Sequence, residues 1–84
     1  MKNKSKLFTI ELNKKKETVE IHLDKSGAKE LIDRLEAFIR NDESEHDHLM
    51  TEEWGGGELS SEKQNLSNDY VLINHLKLFY WKDK

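Results

Sequence analysis

The sequence predicts a small α+β domain, a single antiparallel sheet of about four strands with one amphipathic helix on one face, in the order strand-strand-helix-strand-strand. Three observations predict it. Two N-terminal runs alternate apolar and polar residues, a central segment switches to the 3.6-residue period, and the C-terminal run is dense in β-branched and aromatic residues.

Lys6 to Asn13 sets Phe8, Ile10 and Leu12 against Thr9 and Glu11, the period of a half-buried strand. After the polar link Asn13-Lys14-Lys15-Lys16, Glu17 to Leu23 alternates again, with Val19, Ile21 and Leu23 on one side. The pair reads as a hairpin, although no Asn-Gly turn joins it. From Ser26 the stripe Ala28, Leu31, Ile32, Leu35, Phe38 and Ile39 predicts a helix, with Ser26 or Asp24 as N-cap and Asn41-Asp42 as its end. Glu30–Arg34 and Glu36–Arg40 are i,i+4 pairs in the favourable order. His46 to Thr51 is a short third strand. Trp54 to Asn68 has no clear period, and Ser61 with Gln64 resembles a capping box that could open one helical turn. Tyr70 to Trp81 is a long final strand.

Eighty-four residues form one domain, 1–84, with residues 1–5 expected as a disordered basic arm. A chain this short buries only about 60–65% of its unfolded surface, so a partner or a second copy would add useful stability. There is no cysteine, which removes disulfides and thiolate chemistry. No apolar run approaches the roughly 20 residues of a membrane span, and no signal-peptide pattern is present. The expectation is a soluble, cytoplasmic protein with no membrane partner. Residues 41–62 carry eight acidic residues and no Lys or Arg, while the formal total is −3, leaving +5 elsewhere. Nucleic-acid binders concentrate the opposite sign, so no nucleic-acid partner is expected.

Alternation also predicts what faces away from the helix. With Phe8, Ile10, Leu12, Val19, Ile21 and Leu23 beneath the helix, His22 points to the far face, as do His46, His48 and Met50 if Leu49 is the core residue. On the last strand Leu72, Leu76 and Leu78 fit the helix side, leaving Val71, Ile73, His75, Phe79 and Trp81 opposite; Asn74 on the core side warns of an irregularity. A face with that much apolar surface is a contact site. A second copy, the Trp54 loop folded back, or a different protein could cover it.

Residues 46–59 are the least generic stretch: two alternating histidines, then Glu52-Glu53-Trp54-Gly55-Gly56-Gly57-Glu58-Leu59. His46 and His48 lie on one side of a strand, and His22 or His75 could join them, but zinc needs three or four ligands and the spacing fixes no such set. The same histidines serve equally as hydrogen-bonded or partner-facing groups. No metal and no other cofactor is expected. No nucleophile elbow is present and the chain leaves little room for a pocket, so no enzymatic activity is expected. The glycines lack the Gly-Lys-Ser/Thr of a phosphate loop, and the flanking glutamates repel phosphate. They instead permit positive φ and close backbone approach. Trp54 either plugs the core at a sheet edge or anchors an interface. The acidic run is either solvated or complements a basic partner.

His46-x-His48-x-Met50 and Trp54-Gly55-Gly56 followed by Glu58-Leu59, after strand-strand-helix, resemble a small bacterial family of immunity proteins from polymorphic-toxin systems, the family numbered thirty-two. Gly57 reads as an insertion relative to that pattern. The resemblance implies a cytoplasmic protein that binds and neutralises a cognate toxin, often a nuclease. On this reading the contacts come from His46, His48, Glu52, Glu53, Trp54, Gly55, Gly56 and Glu58, with His22, Met50, His75, Phe79 and Trp81 as a second tier. The alternatives are a self-associating domain whose sheet face is a homodimer interface and a metal-binding regulatory domain.

Overall fold

A computed structural model describes residues 6–84; the expected arm at 1–5 lies outside the described residues. The order is β1 (Phe8–Asn13), β2 (Thr18–Leu23), α1 (Lys25–Asn41), β3 (Glu45–Met50), a single 3₁₀ turn (Glu52–Trp54), β4 (Tyr70–Ile73) and β5 (His75–Tyr80). The α+β class holds, with the helix between strands. The strands form two antiparallel sheets rather than one, β2-β1-β4 and β3-β5.

The division follows from one residue. Asn74 interrupts the final run, and its backbone carbonyl and side-chain oxygen accept from Thr51 N at 3.1 Å and Thr51 Oγ1 at 2.7 Å. Thr51 is itself fully buried, so this pair pins the junction between the sheets. An extra residue shifts the alternation by one. Val71 and Ile73 therefore pair opposite Leu12 and Ile10, on the helix side, and Leu72 opposite Glu11 on the other. That reverses the expectation for residues 71–73. Beyond Asn74 the expected phase holds: Leu76 opposes Leu49 and Leu78 opposes Asp47, while His75, Lys77 and Phe79 oppose Met50, His48 and His46.

In the β1–β2 hairpin Asn13 Oδ1 accepts from Lys16 N, and Glu17 takes positive φ, closing the turn without an Asn-Gly pair. Asp24, not Ser26, caps α1, its carboxylate accepting from Gly27 N at 2.8 Å. Asp42 ends the helix in the left-handed conformation, donating its N–H to Phe38 O. Leu31 and Phe38 face inward, Phe38 stacking on Tyr80 at 5.6 Å. Arg34 bridges Glu30 on its own helix and Asp47 on β3, and Lys6 reaches Glu30 at 2.7 Å, so ion pairs hold one flank of the helix to β3. The other flank, Ile32, Leu35 and Ile39, stays exposed, so the helix is rolled away from its predicted stripe.

The core is small: Phe8, Ile10, Leu49 and Leu59, with Leu31, Ile73, Leu76 and Leu78 packed against them. Thr9 and Glu11, on the polar side of β1, are buried as well, and so is Asn13, expected in the polar link. The cause is the segment 59–69, which crosses that side of the sheet as a strap with no helical turn at Ser61–Gln64. Ser60 starts it: its N–H donates to Phe8 O, while its hydroxyl accepts from Phe8 N and donates to Lys6 O. Glu11 then accepts from Gln64 N, Asn65 N and Asn65 Nδ2, and Glu20 accepts from Asn65 Nδ2, Tyr70 OH and His22 Nε2. Every buried side-chain polar atom among the described residues has a partner.

Candidate docking surface

The outer face of β3–β5 carries a line of rings. Phe79 stacks on Trp81 at 6.0 Å and on His46 at 5.1 Å; His46 meets His48 edge-on at 4.9 Å; His48 stacks on His75 at 5.1 Å; and Trp54 closes the line, 6.3 Å from His75. Strand alternation puts His46 and His48 on one face, and antiparallel register brings Phe79 and Lys77 opposite them. Trp54, Phe79 and Trp81 each leave more than half their surface exposed. Trp54 is thus no core plug. Leu59 fills that role, at 4% exposure.

The loop between β3 and the strap holds its shape through two glycines and a carboxylate. Gly55 sits at φ 94° and closes the 3₁₀ turn, its N–H donating to Glu52 O. A Cβ on Gly56 would fall 2.5 Å from Met50 O, whereas one on Gly57 would meet nothing. The two glycines of the resemblance are therefore the required ones, and Gly57 is sterically free. Gly56→Ala is expected to destabilise the fold by about 2 kcal/mol through overpacking against backbone. Gly57→Ala should stay within about 0.5 kcal/mol of wild type, as an unobstructed surface change does. Urea titrations of the two variants compare them directly.

Glu58 turns inward. Its Oε1 accepts from Met50 N at 3.0 Å and Gly57 N at 3.3 Å, and Oε2 lies 4.0 Å from Arg34. The Met50 N–H above all holds this carboxyl below its ordinary range, against a smaller opposing effect of burial. Glu58 thus shapes the loop that presents Trp54. Glu53 accepts from Ser61 Oγ, which holds its carboxyl low, and Glu52 is exposed beside it. Two shallow grooves flank the strip. One is lined by Glu52, Glu53 and Glu62 with Lys6, Ser60 and Ser61; the other lies between α1 and β3, with Glu30, Asp33, Glu45 and Asp47 beside Arg34 and His46. Carboxylates outnumber the Lys or Arg in each, three to one and four to one, although Arg34 pairs with two of the second set.

Of the residues expected to work together, His46, His48, Met50, Trp54, His75, Phe79 and Trp81 share this region, with Glu52, Glu53, Gly55 and Gly56 in its loop. His22 does not join them. It lies on the three-stranded sheet, hydrogen-bonded to Glu20 at 2.9 Å. Lys77 was missed, although period-two alternation from Phe79 assigns it to this face. The histidines stack instead of converging: His48 Nδ1 and His75 Nε2 are 2.9 Å apart, hydrogen-bond distance, and among the described residues no group of three or more His, Cys, Asp or Glu is placed to hold a metal ion.

The surroundings of His48 carry a pH dependence. Lost hydration, then the positive potential of His46, His75 and Lys77, pushes the His48 pKa below its ordinary value, with Asp47 opposing. A depressed folded value means the stability contribution is complete above the unfolded pKa of about 6.5 and is lost as pH falls through the folded value. The melting temperature is expected to fall between pH 7.5 and 5.5, and less so in His48→Gln. Equal slopes in the two proteins would contradict this origin.

Among the described residues, the open line of rings encloses no chamber for a small substrate, and it lies on a small α+β domain. The family described as Immunity protein 32 matches residues 18–76. The chain belongs to that family, and the function class is immunity. No curated protein and no solved structure matches it. No helix among the described residues is long and apolar enough to cross a membrane.

Proposed function

We propose that this protein binds and neutralises a cognate bacterial toxin, acting in the cytoplasm as a docking partner without catalysis. The observation that carries the reading is the exposed line from Trp81 to Trp54 between two acidic grooves. Trp and other aromatic side chains are enriched among the few residues that dominate binding energy. The acidic borders fit a toxin whose working surface is basic, as a nuclease groove must be to hold phosphates. Seated there, the protein would cover that groove or a surface beside it.

Co-expression with a cognate toxin domain, sought first among neighbouring genes, tests this: growth should be rescued, and the two chains should co-purify. Because charge steers the encounter, association should slow at least tenfold between 0.05 and 0.5 M salt, as exposed charges become screened. A rate independent of salt would remove the acidic grooves from the account.

A further inference from the structure

A second apolar surface lies apart from the aromatic line. β2 is the edge of the three-stranded sheet, and it lacks the Lys, Pro or bulge that usually blunts an edge. Val19, Ile21 and Leu23 lie on the helix side, across from Leu12, Ile10 and Phe8, and remain 60%, 48% and 36% exposed. Above this side runs the uncovered flank of α1, with Ile32 at 50%, Leu35 at 44% and Ile39 at 66%. Gly27 packs beside Leu23, placing the start of the helix next to the strand. Together these residues expose on the order of 500 Å² of apolar side chain, a large part of the ~800 Å² that each partner of a standard interface buries.

The sequence of this edge names its occupant. Residues directly opposite in an antiparallel pair share a face, so a strand pairing with its own copy must centre on a residue. Centred on Ile21, the run Val19-Glu20-Ile21-His22-Leu23 is its own complement: Ile21 meets Ile21, Val19 meets Leu23 and Glu20 meets His22. Centred on Glu20, two carboxylates would face each other, which is destabilising. The exposed helix residues Ile32, Leu35 and Ile39 offer apolar surface of their own. We propose that the chain forms a two-fold dimer by pairing β2 with β2 of a second copy about Ile21, with the two α1 flanks closing over the joined strands. The combined sheet has six strands, and the aromatic line of each copy stays outside this contact.

Sedimentation of the full chain separates the states, the monomer being 9.9 kDa and the dimer twice that. Wild type is expected to be dimeric at 100 µM. Ile21→Lys should weaken dimerisation at least thirtyfold, and so should Ile39→Lys, a change on an exposed helix position that leaves the sheet intact. The chain has no cysteine, so the register can be read by oxidation. Ile21→Cys should cross-link to itself at least tenfold more than Val19→Cys, while a mixture of Val19→Cys and Leu23→Cys should cross-link as Ile21→Cys does. A wild type that stays monomeric at 100 µM overturns the proposal. So does a dimer that survives both lysine variants but dissociates in Phe79→Ser, or Val19→Cys cross-linking as readily as Ile21→Cys.

Discussion

Glu11→Ala is expected to lose about 3 kcal/mol of stability, because buried donors left without an acceptor each cost about 1–3 kcal/mol. For an 84-residue domain with a total on the order of 4–12 kcal/mol, that is a large fraction. Glu11 is fully buried in the central strand, and its carboxylate takes three N–H groups from Gln64 and Asn65. Burial alone would push its pKa up, but those donors outweigh burial and the net value is lowered. A carboxyl whose folded pKa is depressed contributes stability that is present above the unfolded value and lost as pH falls through the folded one. The wild type should therefore weaken below about pH 4.5, and the alanine variant should lose less over the same range. Glu11→Gln keeps one acceptor and should fall between the two. Urea midpoints at pH 7 and pH 4 provide the measurement. A Glu11→Ala variant as stable as wild type would mean that the strap is held by something other than this carboxylate.

Replacing the three large rings together, Trp54→Ala, Phe79→Ala and Trp81→Ala, should lower the melting temperature, because nearly half of each ring is buried against its neighbours, while weakening toxin binding at least about a hundredfold in the folded chain. Each ring is more than half exposed, and none belongs to the core cluster, so their removal opens no cavity. At an interface the same rings become the buried anchors, where single truncations commonly cost 2 kcal/mol or more. Glu58→Ala removes the acceptor of Met50 N and should lower both stability and binding, because it loosens the loop on which Trp54 stands.

Much of the fold was legible because its signals are local. Alternation in Phe8–Leu12 and Val19–Leu23, the helical period from Ala28 to Ile39, and the phase of His46, His48 and His75 each depend on neighbours a few residues away. Those signals suffice to gather His46, His48, Phe79 and Trp81 on one face. They fail where a distant segment decides. Nothing near Glu11 announces that Gln64 and Asn65, more than fifty residues on, will enclose it. The phase of Val71–Ile73 depends on one residue, Asn74, captured by Thr51. The roll of α1 comes from ion pairs of Glu30 and Arg34 with Lys6 and Asp47, groups that periodicity counts as surface. The acidic run misled in one respect, since Glu58 turns inward to close the loop while Glu52 faces solvent.

On the proposed function, the aromatic line and the carboxylates beside it seat the toxin. Titration calorimetry of the full chain against the cognate toxin domain that rescues growth on co-expression, wild type compared with the three-ring variant, is the decisive measurement. Tight one-to-one binding per chain is expected for the wild type, with a loss of at least about a hundredfold for the variant at a temperature where it remains folded. Undiminished affinity in that folded variant would contradict it.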